Sequence, residues 1–436
     1  MAKSSEHIEK RAIRGACIVI AIILSFFGGM ATCWFSLDPQ FRSLIKTKRT
    51  IDKFYYEDVD DKKFFGTLFD AINNEILDDY SLYMTADEFK SYTDVGEGKR
   101  SGIGLMFLTK DTENNPQMRV VRVCGNSPAE KADLEIGDYV VGFGESEDKI
   151  TESVIFEDFS AFISEYDAGE TFYVKVKDGN ALDAPTRVVS MSKEVYVENY
   201  VFYRTVTSAY RFEGADALTM VQKGKALSCL DDKTGYIQLT EFNGAAAEEF
   251  KQAMNQFRAD GMKNLVLDLR GNGGGFLNIM QDISSYFCKS AKNKKPIVAI
   301  ADYGEYQENF RAKGNYYGDY FSQDSRIFVL ADADSASASE CLIGSMVDYG
   351  AIAYNNICLT ERYGEIRTFG KGIMQSTYPF LLGGDAVKLT TAVMRWPVSK
   401  NCIHGRGVLP EDGALSVVET GNFEEETAAS IAKLFS

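Results

Sequence analysis

Leu265-Val266-Leu267-Asp268-Leu269-Arg270-Gly271-Asn272-Gly273-Gly274-Gly275-Phe276-Leu277 opens as a buried strand, breaks at a glycine turn and enters a helix. A strand, a glycine turn and a helix start converge free backbone N–H groups on one point, a pocket suited to an anion. Three readings stay open for the turn alone. It is a phosphate cradle without the GxxxxGK[ST] spacing that nucleotides ask for, a plain packing turn, or a donor for a developing oxyanion. The chain around it repeats the alternation. Strands are expected at 236–239, 265–269, 297–300 and 327–330, and helices at 245–259, 277–287 and 339–348, which predicts a layered α/β core from about residue 196 onward.

A second strand-to-helix turn follows Arg326-Ile327-Phe328-Val329-Leu330. It delivers Ser335-Ala336-Ser337-Ala338-Ser339-Glu340 into a helix that runs to Asp348. Serines there are helix caps, or one of them is a nucleophile whose oxyanion meets the helix N-terminus. A serine nucleophile needs a base, and the chain has two histidines, His7 and His404. Lysine is the remaining candidate. Phe369-Gly370-Lys371-Gly372-Ile373-Met374-Gln375 holds a lysine between two glycines, and on a strand the period of two places Lys371, Ile373 and Gln375 on one face. Lys371 is either a solvated surface lysine or a base whose pKa is depressed by burial.

Upstream, residues 96–195 switch to short β-rich runs with Gly and Asp turns, the size of one small domain. Ser101-Gly102-Ile103-Gly104-Leu105-Met106-Phe107 offers a nest of N–H groups for a carboxylate, followed by a strand edge on which a peptide can pair. Ser127-Pro128-Ala129-Glu130 is a capped helix start. Residues 38–95 have apolar positions at three- and four-residue steps, read as a helical arm for a bundle or a dimer.

The chain has 436 residues, enough for two to four domains at roughly 100–200 residues each. The formal net charge is −16 with no basic block, so nucleic acid is not an expected partner. Eight cysteines without CxxC and two histidines furnish no zinc site, and neither metal nor cofactor is expected. Residues 15–37 carry no charge over 23 positions and follow a segment, 1–14, of net +2. That run spans a bilayer with the N-terminus inside and the remaining 399 residues, of net −18, extracytoplasmic. Small residues Gly29, Ala31 and Thr32 also suit a cleaved signal peptide, which gives a secreted protein. Disulfides are permitted outside, but the spacing sets no pairing.

In order, Leu77-Asp78-Asp79-Tyr80-Ser81-Leu82-Tyr83-Met84, the GIGL and NSPAEKADLEIGD pair, Gly235-Tyr236-Ile237-Gln238-Leu239, DLRGNGGG, SASASE, FGKGIMQ and Val387-Lys388-Leu389-Thr390-Thr391-Ala392 resemble the carboxy-terminal processing (tail-specific) proteases over about residues 45–412. The resemblance implies a crotonase/ClpP-like layered core (196–436) with an inserted PDZ-like β domain (96–195), a helical arm (38–95), one transmembrane helix (15–37) and a cytoplasmic end (1–14). It implies a Ser–Lys endopeptidase: Ser337 as nucleophile, Lys371 as general base and Gln375 as its support. The backbone N–H of Ala338 and one from the Gly273-Gly274 turn look like the oxyanion hole. Gly102, Ile103, Gly104 and Leu105 are then the binding loop for polypeptides with free, apolar C-termini. Asp348 matches an aspartate of structural role, and a homodimer through the arms is expected.

Two departures bear on the site: GNGGG replaces GNPGG, and about nine extra residues fall near 362–367, just before Lys371. A catalytically idle scaffold that holds protein tails is the rival reading, argued against by the intact Ser337, Lys371 and Gln375. An acyl-transfer enzyme on a related core lacks any coenzyme-binding signature.

Overall fold

A computed structural model describes residues 2–110, 114–179, 184–214, 216–289 and 295–436, with side chains from residue 19 onward. The chain folds as two compact units, Met1–Leu77 and Asp78–Ser436. In the first, the helix Ala2–Ser36 contains the window Val19–Ser36, of mean hydropathy 1.9 and with no residue buried, long and apolar enough to cross a membrane. The helix Pro39–Phe54 starts where Asp38 accepts the Gln40 N–H at 2.8 Å and proline takes the first helical position. The helix Asp61–Ala71 follows and ends in a π turn, Ile72–Ile76.

The second unit is built on an eight-stranded sheet. Its strands run Thr219–Gln222, Ala209–Glu213, Val201–Arg204, Thr234–Leu239, Asn264–Asp268, Ile327–Asp332, Ile357–Thr360 and Leu415–Val417 across the sheet. The last five pair in parallel and the first three antiparallel. Central parallel strands are covered on both faces, so their sequences are near-continuous apolar runs, and every residue of Thr234–Leu239 and Ile327–Asp332 is buried. The helices Ala246–Ala259, Leu277–Ser284 and Ala338–Asp348 pack their apolar residues, among them Phe250, Phe257, Met280, Ile283, Leu342 and Met346, into one core over this sheet. The C-terminal helix Phe423–Phe435 brings Ile431 and Leu434 to a separate cluster with Tyr236, Val266 and Phe328.

A five-stranded sheet carries the segment after Lys371. The strand Ile373–Pro379 pairs with Ala386–Arg395, which also pairs with Leu82–Met84 and Ile297–Asp302. The expected helical arm thus gives way at residue 82 to a strand, and the helix Ala86–Gly96 restarts at Thr85 through a capping box with Glu88.

Residues 99–197 leave and re-enter this core through an antiparallel stem, Lys99–Gly102 against Glu194–Val197. Beyond the stem lies a six-stranded antiparallel sheet with its own core of Met118, Val140, Phe159, Phe172, Val174 and Val176. The Ser127 side chain caps the helix Pro128–Lys131 by accepting the Glu130 N–H at 3.2 Å. Half-buried ion pairs join this small domain to the core. Arg122 bridges Glu198 and Glu241, and Arg100 of the stem bridges the same two carboxylates.

Candidate active site

Parallel strands end level with one another, so the loops after adjacent strands crowd one edge of the sheet. Gln238 pairs with Asp268 and Asp268 with Leu330, which sets the loops at 240–243, 271–276 and 333–337 side by side. Asn272 stitches the three together. Its Nδ2 donates to the Leu239 carbonyl (2.8 Å), its Oδ1 accepts the Gly274 N–H (2.9 Å), and its own carbonyl accepts from Ala336 N (2.9 Å) and Ser339 Oγ (2.9 Å). Gly274, at φ 105°, comes so near the serine turn that a Cβ there would sit 2.9 Å from Ser337 Cβ and 3.0 Å from Ala338 N. Only glycine fits. The Gly274 N–H is taken by Asn272, whereas the N–H groups of Gly273 and Ala338 have no acceptor among the described residues.

The three serines of the turn have different surroundings. Ser335 Oγ is buried and donates to the Leu269 carbonyl at 2.8 Å, and buried Ser339 Oγ donates to Asn272. Ser337 is partly exposed, its Oγ has no hydrogen-bond partner among the described residues, and its backbone sits at φ 56°, ψ −109°. An L-residue at that φ is strained, and such strain persists where the surroundings over-determine it. Ser337→Gly is therefore expected to raise the stability of the second unit by about 1 kcal/mol, net of the extra chain entropy of glycine. Thermal unfolding checks this, with Ser337→Ala as the control that gains nothing.

Glu340 fixes this turn to the lysine segment. Its carboxylate, fully buried, accepts from Ser337 N (3.0 Å), Thr368 Oγ1 (2.6 Å), Gly370 N (2.8 Å) and Lys371 N (2.9 Å). Burial raises its pKa and these four donors oppose the rise. Lys371 lies in an irregular strap and the strand begins only at Ile373, so a shared strand face does not extend to it. The strap is irregular because Gly370 (φ 90°) and Gly372 pack directly on the backbone of residues 404–407. The Lys371 ammonium lies 4.6 Å from the centre of the Tyr80 ring. Its pKa is lowered by burial first and by the Lys388 cation second, against the pull of Asp78 and Glu340. Gln375 Nε2 donates to Thr390 Oγ1 at 3.2 Å.

Several roles had no signal in the sequence. Asp268 and Arg270 of the glycine-turn motif form a buried pair; Arg270 also donates to Thr427 Oγ1 and stacks 4.4 Å from Phe423, tying the turn to the C-terminal helix. Near 362–367, Arg362 pairs with Glu426 (2.7 Å) and Asp332 (3.4 Å), and Tyr363 donates to Asp334 at 3.2 Å, so the extra residues brace the serine turn. Asp348 accepts the N–H groups of Val398 (2.7 Å) and Ser399 (2.9 Å), a loop-fixing role.

In the small domain, Gly102 (φ 139°) and Gly104 (φ 80°) flank Ile103, and a Cβ on Gly104 would meet Ser127 Cβ at 2.2 Å. Leu105 then opens Leu105–Lys110, the edge strand of the sheet, with Phe107 packed on Phe156 and Phe159 of the helix Phe156–Ser164. Met106, Val154, Ile155 and Phe156 are exposed beside that edge.

The family model of peptidase family S41 matches residues 233–412, which include all of the serine turn and the lysine strap. A "Probable CtpA-like serine protease" of Staphylococcus haemolyticus is 27% identical over 366 residues, which are 83% of this chain and 62% of that one. A protein of the same description from Staphylococcus epidermidis is 25% identical over 421 residues, 94% of this chain and 74% of that one. The chain thus spans about three-fifths of the length of the first relative. An S41 protease structure from Bacteroides fragilis shares the fold at TM-score 0.54 and 14% identity, over 88% of this chain and 91% of that one. The Ser337 turn, the Glu340 clamp and the Lys371 strap all lie inside residues 233–412, the span that matches the model of peptidase family S41.

Proposed function

We propose that the chain is a serine endopeptidase of Ser–Lys type that takes polypeptides by their C-terminal tails. The carrying observation is the contrast among the three serines: Ser335 and Ser339 are buried and bonded, and Ser337 alone of the three is strained, partly exposed and unbonded among the described residues, at the turn that Gly274 packs against. Ser337 Oγ attacks the scissile carbonyl, and the neutral Lys371 amine accepts its proton. The tetrahedral oxyanion takes hydrogen bonds from the Gly273 and Ala338 N–H groups at the helix N-terminus; Gly274 contributes closeness, its own N–H being spent on Asn272. Lys371 passes the proton to the leaving amine and then activates the water that hydrolyses the acyl-enzyme. Its ammonium sits over the Tyr80 ring, and Gln375 orients the amine for Ser337.

The small domain supports tail recruitment in the manner of a PDZ domain. Its Gly102-Ile103-Gly104-Leu105 loop is a nest for a carboxylate, and the open edge of Leu105–Lys110 accepts an extended chain beside an apolar rim. The apolar N-terminal helix supports a single-pass anchor with the remainder extracytoplasmic. Exposed Phe41, Phe54, Tyr56, Phe65 and Ile76 in the first unit support self-association.

Cleavage of an unfolded reporter with an apolar free C-terminus, beside the same reporter with its tail amidated, tests this reading. Cleavage that needs both Ser337 and the free carboxylate supports it; tail binding with no cleavage turns the reading to the idle scaffold. Activity is expected to climb through neutral to alkaline pH as Lys371 loses its proton. Because the Lys388 cation lowers the Lys371 pKa, Lys388→Met raises it and moves the kcat/KM profile to higher pH, while Lys388→Arg leaves it in place. A pH titration of kcat/KM for the three proteins reads the shift.

A further inference from the structure

We propose that the segment 78–81 belongs to the catalytic apparatus, with Tyr80 as the positioning residue that seats the Lys371 ammonium on its ring face. This rests on the Ser–Lys reading above. Lysine is a point charge on a flexible four-carbon stem, and here glycines on both sides leave the strap no neighbouring side chain to hold it. The Tyr80 ring, half-buried, meets the ammonium at 4.6 Å, within cation–π range.

The same four residues reach the other half of the base. Buried Ser81 Oγ accepts the Thr390 N–H at 2.8 Å and lies 3.4 Å from Thr390 Oγ1, the atom that accepts from Gln375 Nε2 at 3.2 Å. Asp78 ties the segment together, accepting Tyr80 N at Oδ1 (3.1 Å) and Ser81 N at its carbonyl (3.0 Å). The following strand is in register with the site, Leu82 opposite Lys388. One turn thus touches the Lys371 ammonium and, through Thr390, the Gln375 side chain.

The charged groups facing Lys371 are Lys388, which repels the ammonium, and Asp78 and Glu340, which attract it. The ring adds to the attraction. Its loss frees the amine to wander and favours the neutral form, so rate and pH profile change together.

The test measures kcat, KM and the pH profile of kcat/KM for reporter cleavage by the full chain carrying Tyr80→Leu, Tyr80→Phe or Tyr80→Trp. Tyr80→Leu is expected to lose about 10–100-fold in kcat with KM little changed. Its kcat/KM midpoint should move to lower pH by about 0.4–1.5 units. Tyr80→Phe keeps the ring face and wild-type behaviour, and Tyr80→Trp, the stronger cation holder, moves the midpoint to higher pH. A rate loss with an unmoved midpoint means a structural role and overturns the proposal. So does Tyr80→Phe behaving as Tyr80→Leu. Should Tyr80→Leu fail to fold, a Tyr80→Trp midpoint at or below wild type overturns it. Lys371→Ala runs alongside: full activity there removes the Ser–Lys reading itself, whereas an inactive Lys371→Ala with normal Tyr80→Leu removes only the seat.

Discussion

On the proposed mechanism, Ser337→Ala is expected to reduce turnover to background, about 10⁴-fold or more below wild type, and to leave the fold and the proposed tail binding intact. The fold survives because Ser337 Oγ makes no hydrogen bond among the described residues and the backbone N–H that Glu340 holds is unchanged. Lys371→Ala falls to the same level. The double variant is expected to fall no further, because in the proposed mechanism nucleophile and base act as one unit and their losses do not add. Steady-state cleavage of the tailed reporter, with binding followed separately, measures all three. Substantial turnover by Ser337→Ala removes this serine from the mechanism.

Glu340→Ala is expected to have the next largest effect, on stability as well as rate. It strips the common acceptor from Thr368 Oγ1 and Gly370 N, which are buried, and from Ser337 N and Lys371 N, which are part-buried. Unpartnered buried donors cost about 1–3 kcal/mol each, and partial relaxation brings the expected loss to on the order of 3–5 kcal/mol. Glu340→Gln keeps acceptor oxygen at half capacity and adds a donor, so its loss is smaller. Urea unfolding of both variants checks the order. In both, cleavage falls further than the unfolded fraction explains, because the serine turn and the lysine strap lose their shared fixed point.

The strands of the core were legible because buried parallel strands are near-continuous apolar runs, as 265–267 and 327–330 are. Their ends, and the helix at 277, came within a few residues of the structure except at 285–287, where the helix Leu277–Ser284 has already stopped. The antiparallel strands at 201–222 gave no periodic signal: Val201–Arg204 alternates in burial over only four residues, and Ala209–Glu213 and Thr219–Gln222 are buried irregularly. At the site, the residue types for a serine nucleophile and a lysine base stood out, and the family resemblance ordered them. What the sequence concealed was long-range. Glu340 reads as a helix-capping glutamate, and only the fold puts residues 368–371 against it. Tyr80 and Thr390 are 310 positions apart in the chain and meet through Ser81, a contact no local pattern encodes. Gly274 read as one of two interchangeable donors, and its engagement by Asn272 became visible only with the turn in three dimensions.

The most direct measurement of the central claim is to treat the full chain with a fluorophosphonate, digest it, and locate the adduct by mass spectrometry while following residual cleavage. The account predicts one adduct, on Ser337, forming in step with loss of cleavage, faster at higher pH and strongly slowed in Lys371→Ala. An adduct on Ser335 or Ser339 that tracks the loss of activity, or cleavage that persists after Ser337 is fully modified, would contradict it.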